Sequence, residues 1–140
     1  MSAVLTRHHV KVIGRGKKPM LLAHGYGCDQ NVWRFITPAF EDRYKIILFD
    51  HVGHGQSDAA AFDSVRYGSL NGYSEDVPAI CRELDLKNVI FVGHSVSAMI
   101  GALAAIHEPE RFDRLVRPVC AGVALRHRHR DGQGHHGEGV

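Results

Sequence analysis

Asn88-Val-Ile-Phe-Val-Gly-His-Ser-Val-Ser-Ala-Met-Ile-Gly-Ala-Leu103 runs from an apolar, β-branched stretch through Gly93-His94-Ser95-Val96-Ser97 into an Ala-rich helical stretch, with a serine at the junction. A strand that turns sharply into a helix lifts such a serine hydroxyl clear of the sheet, provided its neighbours are small enough for close backbone approach. Gly93 is one such neighbour, and Ser97 stands where a second glycine is usual, which still keeps the side chain short. A Gly-x-Ser-x-small match by itself also fits a structural turn serine. The buried strand expected before it and the helix expected after it favour a nucleophile elbow, with Ser95 as the nucleophile.

On the N-terminal side, residues 19–24 read as a short buried strand that delivers His24-Gly25-Tyr26-Gly27 into a loop. A helix is expected next, over residues 29–40, with Val32, Phe35, Ile36 and Phe40 on one face and Trp33 nearby. Acyl transfer places negative charge on a former carbonyl oxygen, and two convergent backbone N–H groups stabilise it without reorganising. The expected donors are the amides of Val96, just after the nucleophile, and of Tyr26 in the loop. Gly25 and Gly27 let the backbone turn the Tyr26 amide toward the site, although a glycine pair also serves a plain tight turn. His24 invites a reading as a catalytic base. At a strand end, within the His-Gly pair itself, its favoured role is hydrogen bonding that shapes the loop.

Elsewhere apolar strands alternate with amphipathic helices. Residues 9–13 alternate like a half-exposed strand and residues 44–50 form a second buried strand. Val77, Ile80, Cys81 and Leu84 mark a helix over residues 74–86, with Ser74 as its N-cap and Pro78 awkwardly late in the first turn. A third buried strand covers residues 89–92, a third helix residues 96–107, and a short strand starts at Arg114. This order predicts an α/β fold: a mostly parallel sheet with helices on both faces. In the loop after the second buried strand, Asp50, His51, His54 and Asp58 resemble metal ligands, but their spacing matches no common zinc pattern. Gly53 and Gly55 indicate a compact turn instead, with Asp50 and Ser57 satisfying loop amides. No metal and no cofactor is expected.

A chain of 140 residues, 44% hydrophobic and 23% charged, fits one globular domain. A net charge of +2 is too small to argue for nucleic acid. Cys28, Cys81 and Cys120 are odd in number and widely spaced, which suggests neither a disulfide framework nor a zinc site and fits a reducing cytoplasm. No N-terminal apolar region of a signal peptide and no run of about 18 apolar residues occurs, so neither secretion nor a membrane partner is expected.

Three segments together spell a family: residues 24–33 (His-Gly-Tyr-Gly-Cys-Asp-Gln-Asn-Val-Trp), residues 49–58 (Phe-Asp-His-Val-Gly-His-Gly-Gln-Ser-Asp) and residues 92–101 (Val-Gly-His-Ser-Val-Ser-Ala-Met-Ile-Gly). Over residues 10–116 the chain resembles the α/β-hydrolase superfamily. It is specifically similar to the RsbQ-like subgroup, which holds a bacterial regulator of sigma-B signalling and plant strigolactone and karrikin receptors. The match includes Ser97. The resemblance implies a Ser-His-Asp hydrolase with a small apolar pocket under a helical lid, acting on small esters or lactones, in some members as a ligand-sensing step that couples to a signalling protein.

In such hydrolases the acid and the histidine follow the nucleophile on later strands, and a whole domain runs to about 250 residues. Residues 1–116 therefore correspond to the N-terminal half of the domain, with the triad Asp and His and the lid expected beyond them. Residues 117–140, rich in Arg, His, Gly and Ala, break the family pattern and read as an irregular, frameshift-like tail. His127, His129, His135 and His136, with Asp131 or Glu138, would have to be held against Ser95 to act as a base and its acid. A Gly-rich, apolar-poor segment does not offset that ordering entropy. Three readings follow: a serine hydrolase of this kind lacking its later triad members, a non-catalytic ligand sensor or stress-signalling regulator, and an inactive gene fragment.

Overall fold

The computed structural model describes residues 2–118. The tail histidines 127, 129, 135 and 136, and Cys120, lie outside the described residues. A short helix α1 (Ala3–Arg7) precedes β1 (Lys11–Ile13), β2 (Lys18–Ala23) and β3 (Tyr44–Leu48); α2 (Leu70–Glu83), β4 (Val89–Gly93), α3 (Val96–His107) and β5 (Phe112–Val116) follow. The five strands form one sheet in the order β1-β3-β2-β4-β5. Among the described residues only β1 runs antiparallel, against β3.

The strands sit in the middle of the fold because their side chains are apolar in both directions, as a parallel sheet covered on two faces requires. Leu21 lies in register with Ile47 on one side and Phe91 on the other. Leu21, Ile47, Phe91 and Val89 face Val77 and Ile80 of α2 and Ile100 and Ala104 of α3 in the larger core. The alternate residues Met20, Leu22, Ile46 and Leu48 form a smaller core with Trp33. Gly101 lets α3 settle on β4, since a Cβ there would lie 2.3 Å from the Phe91 ring.

Two local expectations change, and one helix is new. Residues 29–40 form no continuous α-helix but two 3-10 turns, Gln30–Trp33 and Thr37–Ala39. Pro38 has no N–H to donate, and its ring would clash with the carbonyl of Arg34 in an α-helix. The Arg34 guanidinium instead donates to the Asn31 carbonyl. The apolar face inferred for this segment changes with it: Trp33 is buried, while Val32, Phe35 and Ile36 are exposed. Second, α2 begins at Leu70, capped by the Ser69 hydroxyl on the Asn71 amide, and Ser74 lies inside it, donating to the Asn71 carbonyl. Pro78 is accordingly an interior helix residue. The new helix, α1, carried no recognised signal; it is five residues long, and the Ser2 hydroxyl caps the Val4 amide.

Candidate active site

Ser95 stands between β4 and α3 with φ 57° and ψ −122°. A non-glycine residue in that region costs about 1–3 kcal/mol and persists only where its surroundings enforce it. The chain enforces it on both sides. The His94 amide extends the ladder to the Ala23 carbonyl at 3.0 Å, and the Ser97 and Ala98 amides close the first turn of α3 on His94 and Ser95 carbonyls at 3.1 and 3.0 Å. A Cβ on Gly93 would lie 2.4 Å from the Ser97 carbonyl oxygen, so the tight approach requires glycine there. Ser95 itself is exposed and makes no capping hydrogen bond.

The loop after β2 lies against this elbow. A Cβ on Gly25 would meet the His94 ring at 2.7 Å and the Ser95 Cβ at 3.2 Å. Gly27 adopts φ 73°, a left-handed conformation that glycine takes without strain. Between them Tyr26 is largely exposed and, with Val96, lines a cavity of about 200 Å³ whose other walls include His51, Tyr67, Tyr73 and Ile100. The two residues expected to supply oxyanion-hole amides thus border one cavity, and Val96 directly follows the candidate nucleophile.

His24 is fully buried below the loop. Its Nδ1 lies 2.8 Å from the Gly25 carbonyl and its Nε2 accepts the His51 amide at 3.0 Å. The carbonyl cannot donate, so Nδ1 carries the proton and the ring is neutral. Burial lowers its pKa in spite of the Gly25 hydrogen bond, and the neighbouring His54 ring lowers it further. His51 is lowered to about 3, first by burial and then by the His24 and His54 rings. His51 Nε2 lies 2.8 Å from the Ser97 hydroxyl, which itself donates to the His24 carbonyl.

The glycine-rich loop that looked like a ligand cluster is held by hydrogen bonds of its own. Asp50 is buried, one carboxylate oxygen accepting the Gln30 amide and the other the Gln56 amide, each at 2.9 Å. The Ser57 hydroxyl donates to the His54 carbonyl at 2.7 Å and accepts the His54 amide at 3.3 Å. The expectation that Asp50 and Ser57 satisfy loop amides is met. Among the described residues no group of three or more His, Cys, Asp or Glu side chains is placed to hold a metal, and no helix is long and apolar enough to cross a membrane.

Residues that motif spacing did not single out are Tyr67 and Tyr73, which line the cavity from α2 and the segment before it. Their rings contact each other at 4.8 Å, and Tyr73 stands edge-on to His51 at 5.6 Å. The Tyr67 hydroxyl donates to buried Asp76. Helical periodicity marks Tyr73 only as an amphipathic-face residue, because its neighbour His51 is 22 positions away in the chain.

Residues 18–117 match the family model of the alpha/beta hydrolase fold. The chain is 46% identical over 116 residues to the Karrikin insensitive 2 receptor CA of Petunia hybrida, covering 83% of this chain and 43% of the receptor. It is 42% identical over 113 residues to the strigolactone esterase D14 of Arabidopsis thaliana, covering 81% and 42% respectively. A solved hydrolase from Oleispira antarctica superposes with a TM-score of 0.80 at 46% identity, over 82% of this chain and 42% of its own. The chain therefore spans less than half the length of these relatives.

Proposed function

We propose, from the premise that this chain belongs to the α/β-hydrolase family, that Ser95 is the nucleophile of a serine hydrolase site for small esters or lactones, with the amides of Tyr26 and Val96 as its oxyanion hole. The observation that carries this reading is the strained, exposed Ser95 backbone at the strand-helix junction, directly before Val96, which with Tyr26 borders one cavity. Gly25 and Gly27 shape the oxyanion loop, and His24 braces it from below. The cavity takes a compact, mostly apolar ligand. The unbridged Cys28 and Cys81 fit the reducing environment of the cytoplasm.

Neither His24 nor His51 serves Ser95 as a base, and the site turns over little substrate. An unactivated serine needs a base to take its proton during attack. His24 has both ring nitrogens engaged, one to the Gly25 carbonyl and one to the His51 amide. His51, with a pKa of about 3, is a poor proton acceptor. That same observation favours a second reading, a ligand sensor that uses the pocket without turnover, as the receptor name of the Petunia relative suggests, and that would pass its signal to a protein partner.

A fluorophosphonate probe followed by peptide mass spectrometry, with Ser95→Ala as control, tests the assignment. A slow adduct on Ser95 alone, with nitrophenyl-ester turnover close to that of Ser95→Ala, is expected. An adduct on another residue, or none, overturns the nucleophile assignment; fast Ser95-dependent turnover overturns the low activity. Saturable binding of a butenolide without turnover decides for the sensor.

A further inference from the structure

The Ser97 hydroxyl closes a ring of three hydrogen bonds among three chain segments. His24, after β2, accepts the His51 amide at Nε2; His51, after β3, meets Ser97 at 2.8 Å through its own Nε2; Ser97, in the first turn of α3, donates to the His24 carbonyl. The directions are fixed by the chemistry of the groups. A carbonyl cannot donate, so the one Ser97 proton is committed to His24, and the Ser97 oxygen must accept from His51 Nε2–H. His51 is thereby held as the Nε2–H tautomer, and its Nδ1 is a buried lone pair without a hydrogen-bond partner. All three residues are buried.

The ring joins the two halves of the expected oxyanion hole. Tyr26 lies two residues after His24, and Val96 directly precedes Ser97. We propose that Ser97 is a positioning residue: its hydroxyl ties the oxyanion loop and the loop after β3 to the nucleophile elbow, and so sets the Tyr26 amide against the Val96 amide. This rests on the reading of Ser95 as nucleophile. A glycine or alanine at position 97 satisfies the tight turn of the elbow equally well. Either one leaves the buried His24 carbonyl and His51 Nε2–H without their partner, and the cost of an unpaired buried polar group drives the loop to rearrange. Displacement of an oxyanion donor by an ångström or loss of its alignment lowers rates by about 10–100-fold or more.

The test combines labelling kinetics with nitrogen-15 spectra of the full chain and of Ser97→Ala and Ser97→Thr. Ser97→Ala is expected to lower the maximal rate of Ser95 labelling about 10–100-fold, with the half-saturating probe concentration little changed, while Ser97→Thr, which keeps the hydroxyl, recovers most of that rate. The native spectrum is expected to show His51 as the Nε2–H tautomer, and the Tyr26 amide signal to move in Ser97→Ala. If the native chain takes no label at Ser95, the nucleophile reading fails and the spectra alone decide the Ser97 proposal. A native His51 in the Nδ1–H form overturns it, as does an unmoved Tyr26 signal in Ser97→Ala. A labelling loss matching only the fraction of unfolded chain, with tautomer and Tyr26 signal unchanged, also overturns it. Should Ser97→Ala not fold, the native tautomer together with the labelling rate and Tyr26 signal of Ser97→Thr settles the matter.

Discussion

On the helix-covered face of the sheet the core includes Ile47, Val77, Ile80, Phe91 and Ile100, none of which has a polar side-chain atom to satisfy; at the ends of β2 and β3 and the first turn of α3 the buried residues include His24, Asp50, His51 and Ser97, each of which has. Burial of the first group is worth roughly 25 cal/mol per Å² whatever the direction of contact, so that face supplies stability without fixing any one angle. The polar group contributes less net free energy per bond, about 0.5–1.5 kcal/mol, but each bond holds a donor and an acceptor in line. One region keeps the chain folded and the other keeps the loops in place. Substitutions in the two should differ both in size and in what they disturb.

The largest effect should come from Phe91→Ala. Phe91 packs on Gly101 of α3 and edge-on to Phe112 at 6.3 Å, and emptying its space should cost about 3–5 kcal/mol in urea unfolding. A loss below that of Asp50→Ala would break the comparison. Asp50→Ala should cost about 2–3 kcal/mol, because the Gln30 and Gln56 amides lose their acceptor. Its mark should be local, with amide exchange accelerated at Gln30 and Gln56 before it changes in β4.

The pH dependence comes next. Burial lowers the pKa of His8, His24 and His51, the last to about 3 against 6.5 for the free side chain. The unfolded chain binds protons that the folded chain refuses, so the stability they contribute is present above pH 6.5 and is lost as the pH falls, for His51 down to about 3. Between about pH 7.5 and 5.5 the His51 share should be about 1 kcal/mol. Unfolding midpoints at the two pH values should show the native chain weakening on acidification and His51→Gln weakening less; equal slopes would remove His51 from the account. The smallest effect should come from Arg15→Ala, which removes an ion pair with Asp42 between two exposed side chains and should change stability by no more than about 0.5 kcal/mol, shrinking further as salt screens the pair.

The same division explains which features were legible beforehand. Leu21-Leu22-Ala23 and Ile46-Ile47-Leu48 are apolar without a break, so they announce buried strands whatever surrounds them. Gly93 and the small residues after Ser95 announce the tight strand-helix turn because a Cβ at position 93 would collide with the Ser97 carbonyl. Residues 29–40 misled the periodicity: one proline and the local bonds of Asp29 and Arg34 decide between an α-helix and two 3-10 turns. The start of α2 misled it as well, since Ser69 and Ser74 are both good caps in isolation and only packing shows which one terminates the helix.

By itself, then, the sequence determined the strand-helix alternation, the glycines and the small serine that an elbow demands, and the family, because these depend on residues close together in the chain and on side-chain size. Tertiary structure decided how His24, His51 and Ser97 meet across 27 and 46 positions, which imidazole nitrogen carries the proton, and that Tyr67 and Tyr73 wall the cavity that Tyr26 and Val96 border. A hydrogen bond needs its partner within about 3 Å and in line. No local pattern specifies that condition for residues brought together only when β2, β3 and β4 pair.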